Sequence, residues 1–540
     1  MHILVDRRPS AVALIDDEGG ETLVPEAQLA RVVAEREVQH PRWVWSDTAH
    51  WYPPLLAAGV RVDRCHDLRL VDGILAAIAG HPPRGDWGRQ PARAHLDTLF
   101  DCDEAPDASL AFSIAAVWAE QRAAIAAHEN PTRLTLLAAA ESAGALAAVE
   151  MQHAGLPWNV ATHDALLTEA LGPRPAAGGR PARLIELADE VERVLQVGPI
   201  AIDSPPELVR ALRRAGLDVN STRSSELVRC DHPAIAPLLQ YKTLSRLHTA
   251  NGWNWLDEWV HDGRFRPTFV PGGGVTGRWA SDGGGALQLP KQVRSAVQAD
   301  DGWALVVADA AQLEPRILAA LSGDTAMARA GAGSDLYAGM VASGAVKTRD
   351  HAKLGMLGAM YGATSGIGGQ VLPRLARSFP SAIGFVELAA RAGERGERVT
   401  TRLGRTSPWP STVWRDRQRL ASAETSTEAD RRRALAESRA WGRFTRNFVV
   451  QGSAAEWALA WMAGVRRRLF ALESGSRHQQ AHLVFFVHDE LIVHSPRERV
   501  SDVEQILHDA AADAARVIFG STSVTFPVSV AAVHRYSDAK

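Results

Sequence analysis

The stretch Leu483-Val484-Phe485-Phe486-Val487-His488-Asp489-Glu490-Leu491-Ile492-Val493 sets three ionisable residues between two apolar runs. Two short apolar runs with a polar break between them read as a β-hairpin, with His488, Asp489 and Glu490 at its tip. A carboxylate at such a strand junction is costly to bury unless it is paired or binds a metal ion. A second stretch has the same logic: Trp303–Ala308 (WALVVA) reads as a buried strand that delivers Asp309 at its C-terminal end. Two carboxylates on adjacent strands carry the donors to hold two divalent cations roughly 3.5–4 Å apart, one activating an attacking hydroxyl and one stabilising a leaving group. Taken alone, either stretch is explained as well by solvated loop acids.

A third feature lies between them. Arg349, Lys353, Leu357 and Tyr361 recur every four residues on a helix expected over Thr348–Tyr361, with Gly362 as its C-cap. Two cations one turn apart suit a triphosphate, and an aromatic suits stacking on a base. A surface helix with snorkelling cations and a core tyrosine is the competing reading. After Asp309, a helix is expected over Leu313–Leu321, with Pro315 tolerated in its first turn.

Outward from these sites the chain is less specific. Residues 1–80 read as a small α/β unit, with strands His2–Val5, Ala11–Ile15 and Trp43–Trp45, a helix Glu26–Glu37 and a hairpin turn at Asp16–Gly20. A linker begins at His81, and an alanine-rich helical pattern runs from Ser109 to Met151. A Pro/Gly-rich break spans Gly172–Pro181, and helical segments dominate from there to Trp259. Pro271–Gly285 holds too much glycine for regular elements, Arg402–Ala440 is charged and expected to be solvated, and a helix is expected over Trp441–Leu469.

Composition excludes the extreme classes. The 540 residues are 46% hydrophobic and 22% charged, with a formal net charge of −3, as in ordinary globular chains. A summed charge near zero hides or reveals no nucleic-acid surface. No apolar run is expected to cross a bilayer, and the N-terminus lacks the pattern of a signal peptide. Cys65, Cys102 and Cys230 are far apart, so neither a disulfide framework nor a zinc site is expected, and a reducing cytoplasm is the default.

Together the motifs resemble those of family A DNA polymerases, in the family's order. Asp309-Ala310-Ala311-Gln312-Leu313-Glu314-Pro315-Arg316 is similar to motif A, Arg349 to Tyr361-Gly362 to motif B, and His488-Asp489-Glu490 to motif C. Thr276-Gly277-Arg278 with Leu287-Gln288-Leu289-Pro290 resembles the primer-side segment, and Thr401-Arg402-Leu403-Gly404-Arg405 the segment after the fingers. Arg443, Asn447 and Gln451-Gly452 resemble the template-side helix, and Leu239–Leu244 the end of the thumb. The resemblance extends from about Ser142 to the C-terminus.

The resemblance implies a mixed α/β (α+β) right-hand fold with palm, fingers and thumb, preceded by a small ribonuclease H-like domain of exonuclease type. The domain map it implies is 1–130 for that first domain, 131–259 for the thumb and connecting helices, 260–333 for the first part of the palm, 334–441 for the fingers and 442–540 for the rest of the palm. It implies template-directed DNA synthesis in repair or gap filling, with primer–template DNA and deoxynucleoside triphosphates as partners of a nucleoid-associated monomer. Asp309 and Asp489 would bind two Mg2+ ions, with Mn2+ as the alternative, and Glu490 would support them. Arg349 and Lys353 would hold the triphosphate, with Lys353 protonating the leaving pyrophosphate. Gln312, Glu314, Leu357 and Tyr361 would line the nucleotide site. Arg278, Gln288, Arg443, Asn447, Gln451 and His488 would contact the DNA.

Departures from the family pattern are specific. Leu357 stands where the family has an aromatic, Ala310-Ala311 where it has Tyr-Ser, and Tyr337 where it has a histidine. Altered sugar discrimination and one lost phosphate contact are therefore expected. The first domain resembles a degenerate 3′–5′ exonuclease in a bacterial short form without the 5′-nuclease domain. Its only Asp-x-Glu spacing, Asp16-Asp17-Glu18, falls in a turn, and no aspartate occurs in Ala49–Pro53 where a second is expected. Asp47, Asp63 and Asp67 are the nearby substitutes.

Overall fold

The structure is a computed structural model that describes residues 1–85, 87, 112–176, 179–285, 287, 289–362, 366–472 and 480–539. Cys102, Gln288, the first residues of the Ser109–Met151 pattern and the centre of the Gly172–Pro181 break lie outside the described residues. The chain forms two compact units. One comprises Met1–Ala154, Thr268–Asp282 and Val306–Ala532, and the other Gly155–Pro267, Gly283–Leu305 and Val533–Lys540.

The first unit begins with a five-stranded sheet in the order Glu21–Val24, Ala11–Asp16, His2–Arg8, Arg42–Trp45, Arg64–Asp67. The first three strands are antiparallel, and the last two run parallel to His2–Arg8. Alternation along the strands gives the sheet two buried faces. Ile3, Val5, Trp43 and Trp45 pack on one side with Tyr52, Leu55, Leu56, Leu146 and Val149. Leu4 and Val44 pack on the other with Leu68, Trp87, Ile114 and Val117. The helix Thr48–Ala57 is an unexpected element, because Pro53 and Pro54 lie inside it. Each proline removes a helical N–H, and the burial of Trp51, Tyr52, Leu55 and Leu56 offsets the loss.

Helix Pro131–Ala154 corrects the expectation that no segment could span a bilayer. By length and composition it qualifies, yet 72% of its apolar window is buried inside the protein. Its hydropathy comes largely from alanines, which let neighbours approach closely. Leu146 and Val149 join the core of the sheet, and a Cβ at Gly144 would stand 2.7 Å from Leu459. Leu459 belongs to the 44-residue helix Glu428–Ala471, which starts well before the expected Trp441. Its start is a capping box in which Thr427 accepts from the Asp430 amide and Asp430 from the Thr427 amide. The charged stretch before it also forms the helix Thr412–Ala421, while Leu403, Arg405 and Ser407 are buried rather than solvated.

A four-stranded sheet in the order His482–Val487, Glu490–Pro496, Trp303–Ala310, Val528–Val533 carries the acidic motifs. The expected hairpin is present, with Val487 paired to Glu490 across a two-residue turn. The glycine-rich passage contains the short antiparallel pair Phe269–Val270 and Ala280–Ser281, which brackets the loop bearing Thr276-Gly277-Arg278. Helices Arg349–Tyr361, Gly366–Ser378 and Pro380–Glu394 are inserted in sequence between the two acidic motifs.

The second unit is mainly helical: Val160–Leu171, Ala182–Leu195, Pro205–Arg214, Ser224–Leu227, Ile235–Asn251 and Trp253–Trp259. A small sheet of Leu156–Pro157, Arg264–Phe265 and Val260–His261 closes it, and Trp158, His163, Trp255 and Phe265 form an aromatic cluster beside that sheet.

Candidate active site

Strand pairing brings the two aspartates together. The amide of Ala310 donates to the carbonyl of Asp489 at 2.9 Å, which sets the end of strand Trp303–Ala310 against the hairpin tip. Asp309 and Asp489 are both partly exposed, whereas Glu490 is buried. Two residues beside them have a positive φ without being glycine: His488 at 57° in the turn and Gln312 at 50° after the strand. Such backbone persists only where its surroundings impose it. One imposing group is Arg316, which is fully buried. Its guanidinium donates to the carbonyls of Ala311 (3.0 Å), Gly331 (2.6 Å), Gly333 (2.9 Å), Ser334 (3.1 Å) and Thr525 (3.0 Å). Five carbonyl acceptors fix the loop that follows Asp309. A sixth bond goes to the Thr525 hydroxyl at 3.4 Å; partners this distant along the chain give a buried arginine no local pattern in sequence.

Helix Arg349–Tyr361 is capped by Thr348, whose hydroxyl accepts from the His351 amide, and by Gly362 at φ 74°. A Cβ at Gly362 would stand 2.5 Å from Arg443, so the glycine also admits that side chain. Both ends of the helix are tied to the segment after Asp309. At one end, the Tyr361 hydroxyl donates to both oxygens of Glu314 at 3.0 and 3.1 Å, and Arg278 forms an ion pair with the same carboxylate. Burial and the Glu314 charge push the Tyr361 phenol up. At the other end, Arg349 Nε donates to Asp335 at 2.7 Å, and Asp335 accepts from Gln312 at 3.2 Å. Lys353 is exposed and Leu357 half-buried between these ties.

Other predicted residues distribute as follows. Thr276 donates to Gln451 at 2.9 Å, joining the primer-side loop to the long helix. Arg443 and His488 are exposed. Burial and the nearby Arg278 charge hold the His488 imidazole below its ordinary value. Asn447 differs: its side-chain nitrogen is buried with no hydrogen-bond partner among the described residues.

The donor chemistry of the aspartate pair fits a hard divalent cation. Among the described residues no group of three or more His, Cys, Asp or Glu is placed to hold a metal ion. Magnesium is commonly held by one or two carboxylates, with waters and substrate phosphate oxygens completing its shell, so a pair of carboxylates suits it.

The acids of the N-terminal sheet are engaged elsewhere. Asp16 accepts from the amides of Glu18 (3.0 Å) and Gly20 (2.8 Å) and so builds the hairpin turn. Asp47 caps helix Thr48–Ala57 and binds Arg69 at 2.8 Å. Asp67 caps helix Leu68–Ala79 and accepts from the Thr48 amide at 2.7 Å. Burial and the neighbouring Asp47 push the Asp67 carboxyl up to about 6. Asp63 lies 3.7 Å from His40. The first strand carries an acid that the sequence reading missed, Asp6, but Arg8 stands two residues on and pairs with it.

Known proteins resemble this chain in sequence and in fold. Residues 181–538 match DNA polymerase family A. The chain is 27% identical over 392 residues to DNA polymerase I, thermostable, of Thermus filiformis, covering 64% of this chain and 44% of that protein. It is 26% identical over 388 residues to DNA polymerase I of Chloroflexus aurantiacus, covering 63% and 38%. The chain thus spans less than half the length of these curated relatives. Among solved structures, the POL domain of Pol1 from M. smegmatis, in complex with DNA primer-template and dNTP, superposes with a TM-score of 0.71 at 20% identity, covering 99% of this chain and 95% of that one. The fold is therefore the mixed helix-and-strand polymerase fold, and the chain belongs to DNA polymerase family A.

Proposed function

We propose that this chain is a template-directed DNA polymerase that extends a primer 3′-hydroxyl with deoxynucleoside triphosphates, acting in repair or gap filling. The observation that carries the reading is the meeting of Asp309 and Asp489 at one strand junction, with helix Arg349–Tyr361 tied at both ends to the segment after Asp309. Residues 260–333 and 442–540 serve as the palm, 334–441 as the fingers and 131–259 as the thumb with its connecting helices. Residues 1–130 form an exonuclease-like domain without nuclease activity.

Asp309 and Asp489 would hold two Mg2+ ions, or Mn2+, with Glu490 beside them. When bound, such ions lower the barrier by activating the hydroxyl and stabilising the leaving phosphate oxygen. The protein's own groups do the rest. Arg349 and Lys353 neutralise the triphosphate, and Lys353 is the proton donor for departing pyrophosphate. Glu314, braced by Arg278 and Tyr361, lies under the incoming sugar and excludes a 2′-hydroxyl. Gln312 and Leu357 line the same site. Arg278, Gln288, Arg443, Gln451 and His488 contact primer–template DNA, and Asn447 joins them only if its buried amide is uncovered.

Primer extension tests the reading. Asp309→Ala and Asp489→Ala are each expected to abolish extension while primer–template binding stays within a few-fold, because DNA affinity rests mainly on phosphate contacts elsewhere. Robust synthesis by either variant would refute the metal assignment. A preference for ribonucleotides would favour a single-subunit RNA polymerase, and metal-independent inactivity of the wild type a binding protein that has lost catalysis.

A further inference from the structure

We infer that Asp335 is a positioning residue that orients the guanidinium of Arg349 for the triphosphate, a role that rests on the function proposed above. Asp335 accepts hydrogen bonds from three groups. Its Oδ1 accepts from the Ala338 amide at 3.1 Å, as N-cap of helix Leu336–Ala342, and from Gln312 Nε2 at 3.2 Å. Its Oδ2 accepts from Arg349 Nε at 2.7 Å. Gln312 returns a bond through its Oε1, which accepts from the Leu336 amide at 2.9 Å. The Asp335 carboxylate is thereby fixed to the loop that follows Asp309.

Geometry turns this junction into an orienting device. A guanidinium is a planar fork of five N–H donors. Asp335 takes the single Nε–H, so the plane of the fork is set while the Nη nitrogens remain for a ligand. One flat side of the fork is covered as well, since the Arg349 guanidinium carbon lies 5.7 Å from the centre of the Tyr337 ring. Tyr337 is itself buried, which makes it a firm shelf. Arg349 is about half exposed and Asp335 a third exposed, so the pair contributes little to stability. Its consequence is orientation: a charged fork presented in one plane binds phosphate oxygens without first losing rotamer freedom.

The experiment is steady-state single-nucleotide incorporation by the full chain, with deoxynucleoside triphosphate as the varied substrate. Asp335→Asn keeps a side chain that caps a helix equally well but replaces the charged acceptor. It is expected to raise the nucleotide KM on the order of tenfold, with kcat far less affected, because a charge-assisted hydrogen bond is lost before chemistry. The melting temperature and the primer–template Kd should not move. In an Arg349→Ala background the same change should add nothing, since there is no fork left to orient. An unchanged KM in Asp335→Asn beside a raised KM in Arg349→Ala would overturn the inference alone. A lowered KM would also overturn it, showing that Asp335 competes with the nucleotide. If Arg349→Ala itself left KM unchanged, the nucleotide site proposed above would fall instead.

Discussion

Glu314 shows how one carboxylate can serve several neighbours. It receives Arg278 and Tyr361, one from the primer-side loop and the other from the end of helix Arg349–Tyr361. A side chain braced on two sides cannot swing away from an incoming sugar, and exclusion of a 2′-hydroxyl by such a group is discrimination against the wrong substrate. Glu314→Ala is expected to increase ribonucleotide incorporation, measured as the ratio of kcat/KM for ribo- and deoxynucleotides. Ala310 and Ala311 offer no bulk beside it, so the wild-type ratio is expected to be modest. An unchanged ratio in the variant would remove Glu314 from this role.

At the scale of elements, the buried carboxylate of Glu456 joins the long helix to the segment Thr401–Arg405. It accepts from the Thr401 hydroxyl and, at 3.0 Å, from the Leu403 amide. Burial pushes its carboxyl up from 4.5 to about 7. The native state therefore holds this proton more tightly than the unfolded chain. The resulting stability is fully present below about 4.5 and is lost as the pH rises through about 7. Glu456→Gln mimics the protonated form. Chemical denaturation across that window should show a flatter pH dependence in the variant, which should be at least as stable as the wild type on the alkaline side. A pH dependence identical to that of the wild type would show that Glu456 does not titrate there.

Across the first unit, the N-terminal domain is joined to the rest by a buried charge cluster. Arg466, on the long helix, binds Glu150, at 2.7 Å, and donates to the carbonyls of Val62 and Asp63. Arg61 and Tyr52 bind the same Glu150. Burial opposes ionisation of Glu150, but Arg466 and Arg61 outweigh it and hold the carboxyl far below the usual range. Removing one partner of a buried pair strands the other, so Arg466→Ala should cost roughly 3–5 kcal/mol, read from urea or guanidinium midpoints. A loss of a few tenths would mean that the cluster is not what couples the parts. The same domain is expected not to degrade a single-stranded or mismatched 3′ end with Mg2+ or Mn2+, because hydrolysis by two metals needs converging acids. Here Asp6 is paired with Arg8, while Asp16, Asp47 and Asp67 accept from backbone amides. Degradation that survives Asp309→Ala but disappears when Asp16 and Glu18 are both alanine would contradict this.

The acidic hairpin, the strand before Asp309 and the helix over 349–361 were legible from local pattern, because apolar alternation, capping residues and spacing by four are properties of neighbouring residues. Their order along the chain was enough to indicate the family. Helix Thr48–Ala57 was hidden by its two prolines, and the early start of helix Glu428–Ala471 by a charged surface, since in both cases packing outweighs local preference. The site shows the same division. Residue types at Asp309, Asp489, Arg349 and Glu314 were readable in one dimension. That Asp335 holds Arg349 and that Arg316 gathers five carbonyls depended on tertiary structure. Hydrogen bonds between residues 14 or 209 positions apart leave no trace in local periodicity, because the chain must first be folded for their partners to meet.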